Sequence, residues 1–175
     1  MSETLLALLA LLITTFFVFT QQRGLVEAER ELASVELQVL AHAVGSEVME
    51  QIAAKPFDAA TIGINPQDAS LSDLTPSTAF GNGLDCPGVC DDIDDFNQMK
   101  PDTVFFEIGR DADDEPVGFD FVVTAEVKYI DSAGYETSNR TWMKEVTLFV
   151  DQAVTGSQRR YLRMPIEMKQ QFSLQ

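Results

Sequence analysis

No lysine, arginine or histidine precedes Arg23 in this chain, and between Glu3 and that arginine there is no charge of either sign. A secretory signal peptide opens on positive charge and closes on small residues at a cleavage site, so this start argues against one. The uncharged run from Thr4 to Gln22 would rise ~1.5 Å per residue as a helix, roughly 28 Å in all, close to the ~30 Å of a hydrocarbon core. A membrane anchor fits that length, although nothing basic lies ahead of it to hold the amino end in the cytoplasm. A short basic leader, removed before the sequence begins, is expected to have set the topology.

Proline is missing until Pro56. Leu25, Ala28, Leu32, Val35 and Val39 recur at spacings of three and four, and Leu40, Val44, Val48 and Ile52 continue at steps of four, the apolar face of an amphipathic helix. Glu27, Arg30, Glu31, Glu36, Glu47 and Glu50 fall on other faces and read as solvated. Only Gly24 weakens the junction with the apolar run. The pattern predicts one helix from about residue 4 to about 53, ~75 Å long at ~1.5 Å per residue.

Bases are scarce throughout: 12 Lys and Arg stand against 28 Asp and Glu, for a formal charge of −16. Between Pro56 and Asp120 the only bases are Lys100 and Arg110. Such a surface repels phosphate backbones and anionic headgroups, so no nucleic-acid partner is predicted. The one basic cluster, Arg159, Arg160 and Arg163, is read as partners for nearby acids.

After the helix the pattern changes period. Phe119, Phe121, Val123, Ala125, Val127 and Tyr129 alternate with polar residues, and "DSAG" at 131–134 supplies turn chemistry. Trp142, Val146, Leu148 and Val150 repeat the alternation, with Lys144 interrupting the apolar face. "TVFFEIG" from Thr103 and "QRRYLRMPIEM" from Gln158 are further strand candidates, the latter an edge or broken near Pro165. Short connections predict antiparallel neighbours. One face of the sheet needs a cover, and the amphipathic half of the helix is the only large apolar stripe available for it. The fold class is therefore α+β: an apolar helix over 1–24, its amphipathic continuation over 25–55, an irregular acidic region over 56–102 and a sheet domain over 103–175.

Two cysteines and one histidine leave little room for a zinc site, since His42 lies on the long helix. Cys86 and Cys90 bracket Pro87 and Gly88, so a tight turn can bring them within disulfide range, the favoured reading if the domain matures outside the cytoplasm. Free thiols rank next, and a redox-active pair is disfavoured because the motif is not CxxC. Asp91, Asp92, Asp94 and Asp95 crowd one segment, and Asp111, Asp113, Asp114 and Glu115 another. Either offers oxygen ligands of the kind calcium takes, but neither has EF-hand spacing, and solvated loop acids are the first reading. No cofactor is predicted. The chain has no nucleophile motif, no acid beside a histidine and no glycine-rich phosphate loop, so no enzyme is predicted. Asn139, Arg140 and Thr141 form an N-glycosylation sequon.

An apolar-then-amphipathic helix of about 50 residues, an acid near its start, a small antiparallel sheet, and "DDIDDFN" at 91–97 followed by paired strands such as "FDFVVTAEVKYID" and "KEVTLFV": this layout resembles the type IV pilin superfamily, including minor pilins of the mannose-sensitive haemagglutinin kind. The resemblance implies a subunit held in the inner membrane and then transferred into an extracellular filament, packed against copies of itself through Met1, Glu3, Leu5, Leu8, Leu12, Phe16 and Phe19. It also implies an assembly machinery of prepilin peptidase, ATPase and platform protein. The family's acid at the fifth mature position, which pairs with a neighbour's amino terminus, has its counterpart here in Glu3, with Leu5 at position five. Met1 replaces the usual phenylalanine, and Gln22 stands where many bacterial pilins have a helix-softening proline. Two rivals remain: a minor pilin or type II secretion pseudopilin, and a single-pass surface protein whose sheet domain binds a partner.

Overall fold

The computed structural model describes residues 2–64, 68–154 and 160–174. Met1, Gln158 and Arg159, singled out above, lie outside the described residues. A single helix, α1, runs Ser2–Ala53 without a break, 52 residues in length. Gly24 does not interrupt it; an isolated glycine costs ~1 kcal/mol in a helix interior, too little to end one that is otherwise built of good formers. The helix ends where Lys55 and Pro56 follow, and Pro56 cannot donate to a continuing ladder.

Among the described residues five antiparallel strands follow: β1 Asp102–Arg110, β2 Pro116–Ile130, β3 Glu136–Thr137, β4 Met143–Gln152 and β5 Ile166–Ser173. The sheet runs β1-β2-β4-β5, with the short β3 on the outer edge of β2. The fold is thus α+β, a long amino-terminal helix packed on an antiparallel sheet, an arrangement compatible with a pilin-like architecture. The fourth strand candidate starts later than the sequence pattern suggested: β5 begins only after Pro165 and forms an edge, as a residue without an N–H requires.

Alternation decides what faces inward. On β2, Phe121, Val123, Ala125, Val127 and Tyr129 are buried, and on β4 Val146, Leu148 and Val150 are fully enclosed. The helix covers this face with Leu37, Ala41, Val44, Met49 and Ile52, chiefly over β4 and β5. Gly45 marks the closest approach: a Cβ there would lie 2.5 Å from Met168 Sδ and 3.2 Å from Val150 Cγ2.

Two features differ from the sequence expectation. The stripe of Leu25, Leu32, Val35 and Val39 does not enter the core; these side chains are exposed, and the packed stripe of Leu37, Ala41, Val44 and Ile52 lies roughly opposite, at ~100° per residue. The region 56–102, expected to be an excursion, is irregular but supplies core. Leu74, Phe80, Ile93, Phe96 and Met99 are buried against the half of the sheet that the helix leaves open. It also completes the edge of β2. Where β1 stops pairing at Val123, Gln98 N–H donates to Ala125 O (2.8 Å), and Asn97 Oδ1 accepts from Val127 N–H (3.1 Å), before β3 takes over at Tyr129.

Candidate functional site

Among the described residues, no side chain in the first half of α1 is buried against the rest of the chain. Leu5, Leu8, Leu12, Phe16 and Phe19, placed on one face by their spacing, are all exposed, Phe16 to 71%. Neighbouring faces are no more polar: Leu6, Leu9, Leu11, Ile13, Phe17 and Val18 are exposed as well. The hydroxyls of Thr14, Thr15 and Thr20 donate back to carbonyls three and four residues earlier, so their polar groups are satisfied within the helix. The helix is long and apolar enough to cross a membrane by length and composition, with none of its apolar window buried. Exposed apolar surface of this extent marks a lipid or protein contact. Glu3 stands in the first turn, where the helix dipole favours an anion.

Farther along, the stripe of Leu25, Leu32, Val35 and Val39 continues this exposed surface. An apolar groove of about 620 Å³ opens beside it, lined by Val35, Leu37, Val39, Leu40, Ile108 and Phe119. Arg160, one member of the basic cluster, forks onto both oxygens of Asp151 at 2.6 and 2.5 Å, the acid partner expected for it.

A second constellation lies inside. Because Val146, Leu148 and Val150 point inward from β4, period two sends Lys144 inward too, and it is fully buried. Its Nζ donates to Phe57 O (2.6 Å), lies 3.4 Å from Asp58 Oδ2 and forms an ion pair with Asp94 Oδ1. The rings of Phe57, Phe80 and Tyr129 enclose the ammonium at 4.2, 5.5 and 5.4 Å. Asp58 caps the short turn at Ala59–Thr61, accepting from Ala60 N–H at Oδ1, while its Oδ2 accepts from Thr75 N–H at 2.8 Å. Burial raises the Asp58 carboxyl, but the Thr75 N–H, the Lys144 charge and the Ala60 N–H outweigh it and hold the group below its ordinary 3.8. Asp94 has no such donors: burial pushes it up to about 7 against the pull of Lys144. Tyr129, donating to Thr75 O at 2.7 Å, has its own ionisation pushed upward by burial and by Asp94.

The four aspartates noted as calcium candidates divide. Asp92 and Asp94 are buried. Asp92 accepts from Ala59 N–H (2.7 Å) and Asp95 N–H (3.2 Å), and Asp95 accepts from Asp91 N–H (3.0 Å). Two groups of carboxylates approach within 4.8 Å: Asp58, Asp92 and Asp94 inside, and Asp91, Asp92 and Asp95 nearer the surface. In the inner group the cation is already supplied, by Lys144. Cys86 and Cys90 form a disulfide, Cα–Cα 5.3 Å, and Lys55 Nζ donates to Cys90 O, tying that loop to the end of α1. Asn139 is exposed between β3 and β4. No pattern in the sequence marks Asp58, and Lys144 stands out there only as an interruption of an apolar face; a lysine at an inward strand position requires a buried acid, and that is the signal by which the cluster could be found.

Comparison with protein-family models, with curated proteins and with solved structures finds no significant match.

Proposed function

We propose that this chain is a structural subunit of a type IV pilus-like extracellular filament, held in the inner membrane by the apolar part of α1 before assembly. The observation that carries the reading is the unpartnered helix. It carries exposed apolar side chains on every side from Leu5 to Phe19 and keeps a second exposed apolar stripe from Leu25 to Val39. A lipid anchor accounts for the first part alone. The stripe and groove beyond it lie past the membrane-length segment, where a neighbouring helix would bury them. Transfer from lipid to a helix bundle exchanges one apolar contact for another at little hydrophobic cost. Glu3, unable to reach any Lys or Arg in that bundle, would take the amino terminus of a neighbouring subunit as its cation and so set the axial register. The partners are copies of itself and the assembly machinery that the resemblance implies; no catalytic role is proposed.

A photo-reactive residue at Phe16 in the full chain, activated in cells carrying the assembly machinery, tests the reading. A ladder of covalent multimers is expected. Cross-links to lipid alone would favour the single-pass surface protein. Glu3→Gln is expected to lower filament yield; wild-type yield would remove Glu3 from the assembly mechanism.

A further inference from the structure

We propose that the folded chain joins Lys144 to Asp94 by an intramolecular amide bond between Nζ and Cγ, with the Asp58 carboxylate carrying the proton. The site has what such a condensation needs. Amine and carboxyl are in direct contact although fifty residues apart in sequence, and each is on a fixed support: Lys144 in β4, Asp94 at the start of the short turn Asp94–Phe96 packed against β2. Holding two reactants in place in this way is equivalent to a very high local concentration, ~10⁵ M or more in well-oriented cases.

The surroundings disfavour charge on Asp94. Lys144 and Asp58 are fully buried and Asp94 is 2% exposed, under the rings of Phe57, Phe80 and Tyr129. Asp94 Oδ2 has no hydrogen-bond partner among the described residues, and an unsupported buried carboxylate is costly. Burial displaces the Asp94 carboxyl upward, toward the protonated form that the condensation needs, and the step itself takes the amine proton from Lys144. Asp58 differs: fixed by the N–H groups of Thr75 and Ala60, it stays ionised 3.4 Å from Nζ, a base already aimed at the attacking nitrogen.

The step balances without any other reagent. Neutral Nζ attacks Cγ of protonated Asp94, Asp58 takes a proton from the nitrogen and returns it to the departing hydroxyl, the Cγ–O bond breaks and one water leaves. The amide keeps one N–H, and Phe57 O, 2.6 Å from Nζ, is placed to accept it. Exclusion of water from the site protects the product from hydrolysis. The bond would form in a monomer as readily as in a filament.

Mass spectrometry of the full chain with its disulfide reduced tests this. The wild type is expected to be lighter than its unlinked mass by one water, with a branched proteolytic peptide joining the segments around Asp94 and Lys144, whereas Lys144→Arg should lose both signatures. The branched peptide decides the matter whatever processing occurs at the amino end. Separate, unlinked peptides from correctly folded wild type would overturn the proposal and leave an ion pair, as would a loss of water that persists in Lys144→Arg. Asp58→Asn is expected to accumulate unlinked chain; complete linkage in that variant would overturn the role given to Asp58.

Discussion

A lysine ammonium has three hydrogens to place, and in a dry interior each needs an acceptor. Before the amide forms, Lys144 finds them in Phe57 O, Asp58 and Asp94, and the ring faces around it add cation–π attraction. Removing the lysine removes the cross-link and leaves two buried carboxyl groups without their partner. Lys144→Met is therefore expected to lose about 3–5 kcal/mol of stability, a large part of the ~5–15 kcal/mol typical of a domain. Urea unfolding followed through Trp142 measures it, and a loss below about 1 kcal/mol would mean the cluster is not a stabilising element. The pH dependence has a definite sign. In the unlinked folded chain Asp94 keeps its proton up to about 7, while the unfolded chain releases it near 3.8. Between those values the native state binds more protons, so stability falls as pH rises and levels off above about 7. Asp58, displaced downward, acts oppositely: its contribution is present above 3.8 and is lost as pH falls below that value. An amide cannot titrate, so thermal unfolding across the window should decline with pH in unlinked Asp58→Asn and show no Asp94 slope in linked wild type.

At the scale of the element, α1 is one continuous helix with two different jobs along its length. Its last turns pack through Leu37, Ala41, Val44, Met49 and Ile52, and Gly45 lets the backbone come close to Val150 and Met168. Gly45→Leu must lift the helix from the sheet and is expected to cost about 1–3 kcal/mol as overpacking. Gly24→Ala meets nothing within 4 Å and should stabilise the helix by about 0.5–1 kcal/mol, the ordinary difference between the two residues in a helix interior. Paired denaturation curves of the full chain in detergent distinguish these signs; equal effects at both positions would mean that the helix does not dock closely at Gly45.

The whole molecule divides between a self-contained sheet domain and a projecting apolar rod. Among the described residues none before Leu37 belongs to the buried core, and the exposed apolar surface of the rod is the part that demands lipid or other chains. Removing residues 1–24 is therefore expected to yield a water-soluble monomer whose unfolding midpoint in urea matches that of the full chain. Size-exclusion chromatography and circular dichroism check this. Aggregation or loss of the sheet signal would show that the apolar half supports the domain after all.

The helix, its length and its uncharged first part were legible in the sequence because they follow from local rules: period 3.6, an absence of proline and an absence of charge. The same holds for the two long strands, where Phe121 to Tyr129 and Val146 to Val150 alternate as a half-buried sheet must. The turn at Pro87 and Gly88 likewise pointed to the bridge between Cys86 and Cys90. Which side of α1 meets the sheet was not legible, because Leu32, Val35 and Val39 on one side and Leu37, Ala41 and Val44 on the other are equally apolar, and only docking chooses between them. Nor could the sequence say that the irregular stretch from Pro56 onward folds back to bury Phe80, Ile93 and Phe96, or that Asp58 and Asp94 converge on Lys144. Those contacts join residues 50 to 90 positions apart. No periodicity links residues so distant; the cost of burying an unpaired charge does, and it acts only once the sheet has closed over the lysine.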